Sequence, residues 1–189
     1  MRDVVEFRFH PAVGQNREKV TMPFILPDLD VTTRRLMLEE FESDVASDRV
    51  YISARALPGT RSAYLDAQRV AFGGGDTDSL SSTLAGSGIF AARQNDGNAV
   101  NVAAAAAALG DGQFVAYYVR AVCRRAIDEE RELEVFRGQS TAEHRAESDA
   151  AVGSRHDPSE LLSEFRAYSQ EPWKFSVGKV NSGLAVKLV

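Results

Sequence analysis

The chain predicts an α+β fold of about five short strands and five or six helices. Two observations carry that expectation. Apolar and polar residues alternate with period two near both ends and in the middle of the chain. Between these stretches, apolar residues recur at the three- to four-residue spacing of a helix, and Gly, Pro and Asp separate the two patterns. Strands so placed can tie the termini into one sheet, but the spacing leaves the strand order open.

Val5, Phe7 and Phe9 alternate with Glu6, Arg8 and His10, which predicts a half-buried first strand. Val20, Met22 and Phe24 offer a second, and Pro23 suits it to an edge. Asp30 is a good N-cap for a helix over residues 31–46, with Met37, Phe41 and Val45 as its buried stripe and Arg35 paired to Glu39 outside. Val50, Ile52 and Ala54 alternate with Tyr51, Ser53 and Arg55, so a short strand is expected there.

Residues 62–72 read as a helix stopped by Gly73-Gly-Gly75, and Asp76 or Asp78 caps a short helix through Leu84. Residues 85–98 are glycine-rich and polar and predict a loop. The alanine-rich run 102–109 predicts a helix, Gly110-Asp-Gly112 a break, and residues 114–127 a second helix. Leu133, Val135 and Phe136 suggest a strand, residues 138–157 a polar and weakly ordered segment, and Pro158-Ser159 the start of a helix carrying Leu161, Leu162 and Phe165. The ending Leu184-Ala-Val-Lys-Leu-Val189 alternates and predicts a last strand. No internal repeat occurs, and the length suits a single domain over 1–189.

Composition narrows the function classes. The chain is 44% apolar, enough for a sizeable core. A net charge of −5 offers no global attraction to nucleic acid or to an anionic membrane. Among 22 basic residues only Lys19, Lys174, Lys179 and Lys187 are lysines. A GC-rich genome accounts for the arginine bias, although arginine also suits bidentate anion contacts. Cys123 is the sole cysteine, so no intrachain disulfide and no cysteine zinc cluster can form. No apolar run reaches the roughly 18 residues of a membrane span. The start of the chain lacks a signal-peptide pattern. These features lead us to expect a soluble, cytoplasmic protein without a membrane partner or a cofactor.

Residues 114–127 carry the most unusual chemistry. Val115, Val119, Val122, Cys123 and Ala126 form one apolar face, with Tyr117, Arg120 and Arg124 beside it. Arg124 lies four residues before Asp128, and Arg125 four before Glu129, so both have local partners. Arg120 has no acid at either four-residue position and needs a tertiary carboxylate, which is favoured, or a ligand. Trp173, beside Pro172, either seals the core, which is favoured, or anchors a partner. The candidate partner-binding set is therefore Tyr117, Arg120, Arg124 and Trp173. No residue forms a coherent catalytic or metal site.

Weaker patterns point elsewhere. The helices flanking Gly110 invite a helix-turn-helix, nucleic-acid-binding reading over residues 102–127, against which the acidic charge argues. Arg137 and His144 have the spacing of the HEPN ribonuclease motif, but without its long-helix setting. Asp28 with Glu132 and Glu134 resembles a fragment of the metal-dependent nuclease pattern, but the lysine expected two residues after the acid is missing. The acidic series Glu39, Glu40, Glu42, Asp44 and Asp48 reads as a solvated surface.

The segment Gly112-Gln-Phe-x-x-Tyr-Tyr-Val-Arg-x-x-Cys-Arg-Arg-Ala-Ile127, with Leu133-Glu-Val-Phe-Arg137 and Asn181-Ser-Gly-Leu184, resembles uncharacterised proteins of actinobacteria and their phages. The resemblance implies a phage or mobile-element setting and, with it, virion association as an alternative location. It transfers no fold and no catalytic residue. The leading expectation is a non-catalytic interaction or assembly protein with a protein partner or a second copy of itself.

Overall fold

The computed structural model describes residues 24–91, 93, 99–140 and 146–189. Its described elements are α1 (Val31–Ala46), α2 (Arg61–Gly74), α3 (Thr77–Gly86), α4 (Val102–Asp128), β1 (Leu133–Arg137), α5 (Ala146–Ala151), β2 (Arg155–His156), α6 (Pro158–Ala167) and β3 (Leu184–Leu188). A 3-10 turn, Pro172–Lys174, precedes β3. The fold is α+β, with fewer strands among the described residues than the sequence suggests.

Capping explains several boundaries. The Asp30 carboxylate accepts the Thr33 N–H at 2.9 Å and starts α1. Asp76 and Ser79 form a reciprocal capping box at α3. Asp157 accepts two backbone N–H groups at the start of α6, where Pro158 occupies the first turn.

The largest departure from expectation is α4. One uninterrupted helix of 27 residues replaces the two helices expected on either side of Gly110. Glycine costs a helix interior about 1 kcal/mol relative to alanine, and here packing outweighs that cost. A Cβ on Gly110 would collide with Ser81 Oγ and lie 3.0 Å from Ser81 Cα. Gly110 is thus a point of close approach between α3 and α4, not a break.

Helix α4 runs through the centre of the fold and packs against α1, α3, α6 and β3. Phe41, Phe72, Phe114 and Tyr117 meet there edge to face or tilted, with centroids 5.1–5.6 Å apart. The sheet has the order β2-β1-β3, all antiparallel. Leu133 faces Leu188, and Val135 faces Val186, so the buried face of β1 matches that of β3. Phe165 and Phe175 stack at 4.0 Å beside this layer.

Three further expectations change. Residues 50–54 form no strand; only the single bridge Ala56 to Phe90 occurs nearby. Residues 146–156, expected to be weakly ordered, supply α5 and β2. The two expected strands before Phe24 lie outside the described residues, and Phe24 itself is not in a strand. No helix among the described residues is long and apolar enough to cross a membrane.

Candidate functional site

Two constellations lie along α4, one near each end. The first begins with the stripe that α1 turns inward. Leu36, Met37, Glu40, Phe41 and Asp44 share that face by helical spacing, and all five are buried. Glu40 and Asp44 are 3% and 0% exposed, which corrects their reading as a solvated surface.

Arg120, at 2% exposure, enters between them from α4. Its Nε and Nη2 donate to Glu40 Oε2 at 3.0 and 2.7 Å. Its Nη1 donates to Asp44 Oδ2, and its Nη2 also reaches Asp44 Oδ1 at 3.3 Å. The Tyr117 hydroxyl donates to Asp44 Oδ2 at 3.1 Å, and the Arg120 guanidinium lies 5.0 Å from the Tyr117 ring centroid. From α6, Arg166 donates to both Glu40 oxygens, at 3.0 and 2.6 Å. Arg124 bridges Glu39 and Glu40, while Arg49 reaches Asp44 at 3.3 Å. The cluster joins α1, α4 and α6 as an ionic clasp.

Burial alone raises the Glu40 carboxyl, but Arg166 and Arg120 more than offset it and hold it below its ordinary value. Burial pushes the Tyr117 hydroxyl well up, and the Asp44 charge adds to that. Burial likewise pushes the Cys123 thiol up. The clasp therefore offers charges already matched to one another, with neither a thiolate nor a free carboxylate base.

The second constellation is an open groove of about 340 Å³ beside the N-terminal half of α4. Ala105, Ala108, Leu109, Gly112 and Gln113 contribute from the helix. Tyr51, Ser53 and Arg55 come from the loop after α1, and Pro172, Trp173, Lys179 and Val180 from the segment before β3. Trp173 is 60% exposed and meets Tyr51 edge to face at 6.4 Å, so it stands at the groove instead of sealing the core.

The four residues expected to bind a partner are thus not one surface. Tyr117 and Arg120 are buried in the clasp, and Arg124 is part-buried at its edge. Trp173 belongs to the groove, whose last α4 residue, Gln113, lies about 16 Å along the helix axis from Arg124. Arg120 finds the internal carboxylates that its lack of local acids implied. Arg124 pairs with α1 and not with Asp128, whereas Arg125 does pair with Glu129 and also with Asp30.

The other candidates have local structural roles. Asp28 accepts the Leu188 N–H at 2.9 Å and receives the Tyr118 hydroxyl at 3.4 Å, tying the segment before α1 to β3. Arg137 pairs with Asp149 at 2.6 Å and donates to the Ser182 carbonyl at 3.1 Å. His144 lies outside the described residues. The continuity of α4 removes the turn that a helix-turn-helix over residues 102–127 requires. Among the described residues, no group of three His, Cys, Asp or Glu is placed to hold a metal ion.

No protein-family model, curated protein or solved structure matches the chain.

Proposed function

We propose that this chain is a non-catalytic protein-binding or assembly protein whose contact surface is the groove at Trp173. The resemblance of its central segment to phage-associated proteins suggests a structural component of a phage or mobile element as the setting. One observation carries the reading: the large aromatic Trp173 is left 60% exposed over a concave, partly apolar surface, while the clasp nearby is closed. Tryptophan is enriched among residues that dominate binding energy at interfaces. The clasp supports the same reading from the other side, since the charges best suited to acid–base work are held by one another.

Light scattering on the purified protein, alone and mixed with the products of neighbouring genes, tests this. A larger species is expected for the wild type and not for Trp173→Ala. A persistent monomer that joins none of them overturns the proposal.

A further inference from the structure

The groove has a charge character not found elsewhere among the described residues. Nearly every described basic side chain is engaged by an acid, a backbone carbonyl or another partner. Among the described residues, the side chains of Arg55 and Lys179 alone lack one, and both line this groove. In a chain of net charge −5, two unmatched cations on one concave surface are a local reversal of sign.

Gln113 adds a polar group to the groove wall. It is 4% exposed and lines the groove, and its side-chain amide has no hydrogen-bond partner among the described residues. The amide still reaches solvent at the groove wall, since the buried side-chain atoms without a partner are those of Tyr64 and Gln68, and it is therefore open to a polar group that enters the groove. Around it the surface is apolar: Ala105, Ala108 and Leu109 from α4, with Pro172 and Trp173 alongside. A volume of about 340 Å³ lies at the small end of ligand sites, enough for one apolar side chain and its polar neighbour.

Resting on the binding-protein reading above, we infer that the groove takes an acidic–apolar segment of a partner polypeptide. Arg55 and Lys179 meet its carboxylate groups, Gln113 bonds its backbone or carboxylate, and an adjacent apolar side chain lies against Leu109 and Trp173. Charge complementarity selects this occupant. Among the described residues a nucleic acid would meet only two free cations, on a chain of net charge −5, too few for the counterion release that drives phosphate binding. A bare inorganic anion would leave the apolar floor and the indole unused.

The test uses the whole chain. Peptides are selected from a random display library on the immobilised protein and resynthesised with a fluorescent label. Their binding is then measured by polarisation, with the emission of Trp173, the sole tryptophan, as a direct report from the groove. Selected peptides should carry Asp or Glu next to Leu, Ile, Val or Phe, and should perturb Trp173 emission. Their affinity should fall at least about tenfold for Trp173→Ala and for Arg55→Glu/Lys179→Glu, and should weaken in high salt. These three residues are exposed, so the variants keep their fold, which circular dichroism verifies.

Neutral or basic selected peptides overturn the inference. So does binding that survives both variants, although a groove-independent binder would leave the binding-protein reading standing. Equal perturbation of Trp173 by hexanoate alone would assign the groove to a free organic acid. Concentration-dependent self-association abolished by Arg55→Glu/Lys179→Glu would assign it to a second copy of this chain. Failure to recover any peptide, together with a monomer that joins no neighbouring gene product, overturns both readings.

Discussion

The two ends of α4 handle positive charge in opposite ways. Toward the C-terminal end, Arg120 is nearly inaccessible and sits between two buried carboxylates. Toward the N-terminal end, Arg55 and Lys179 stand beside the helix with no counter-charge, next to an exposed indole. A charge removed from water must be matched within the fold, whereas a charge left in water need not be. The conspicuous arginines of the sequence are therefore architectural. Of the residues left free to meet another molecule, Trp173 stands out in the sequence, whereas Arg55 and Lys179 do not.

The clasp end can be broken hardest. Arg120→Met leaves Glu40 and Asp44 buried beside an apolar side chain, and guanidinium unfolding should show a loss of about 3–5 kcal/mol. Replacing the core of the clasp together, as Arg120→Met/Glu40→Leu/Asp44→Leu, should recover part of that loss, because no buried charge is then stranded. A triple variant no more stable than Arg120→Met would mean that the clasp contributes more than mutual charge matching.

Asp111 sharpens the contrast from the groove end of the helix. Burial raises its carboxyl from 3.8 to about 6, opposed by a hydrogen bond from Gln139 and reinforced by the charge of Asp78. The folded chain therefore holds this proton over a range in which the unfolded chain has released it. Stability from Asp111 is fully present below about pH 4 and is lost as pH rises through about 6. Glu40 has the opposite sign: its stabilising effect is present above the ordinary carboxylate range and is lost as pH falls through its lowered value. Asp111→Asn should thus stabilise the protein at neutral pH by roughly 2–3 kcal/mol, and the gain should vanish in acid. Unfolding midpoints measured across that range check the sign, and a gain that persists unchanged below pH 4 would contradict it.

Tyr117→Phe is a smaller probe of the clasp. It removes the hydroxyl that donates to Asp44 at 3.1 Å but keeps the ring under Arg120, and should cost about 1–2 kcal/mol in the same unfolding assay. An unchanged midpoint would mean that Arg120 and Arg49 already satisfy Asp44. Smallest of all, Arg55→Glu/Lys179→Glu should shift stability by no more than about 0.5 kcal/mol, since exposed substitutions away from packed features rarely do more.

How much of this is legible in the sequence depends on the range of the interactions. Local chemistry is readable: the Asp30 cap, the Arg35–Glu39 pair, Pro158 opening α6 and the alternation of β3 all follow from neighbours within a few residues. Gly110 reads as a break because a glycine that ends a helix and one that admits a neighbouring helix look alike in sequence. The difference is the backbone of Ser81, 29 positions away. The clasp leaves a usable signal. Glu40 and Asp44 fall on the same helical stripe as Met37 and Phe41, while Arg120 lacks a local acid. Taken together, those two irregularities predict each other. Of the groove only Trp173 beside Pro172 is legible in the sequence, because the groove joins three segments far apart in the chain and its cations are notable only once the other described basic residues have found partners.

The most direct measurement is chemical unfolding of Arg120→Met and Arg55→Glu/Lys179→Glu side by side with the wild type. An architectural clasp and a free groove predict a loss of about 3–5 kcal/mol for the first and almost none for the second. Equal losses, or a larger one at Arg55 and Lys179, would contradict the division of roles along α4.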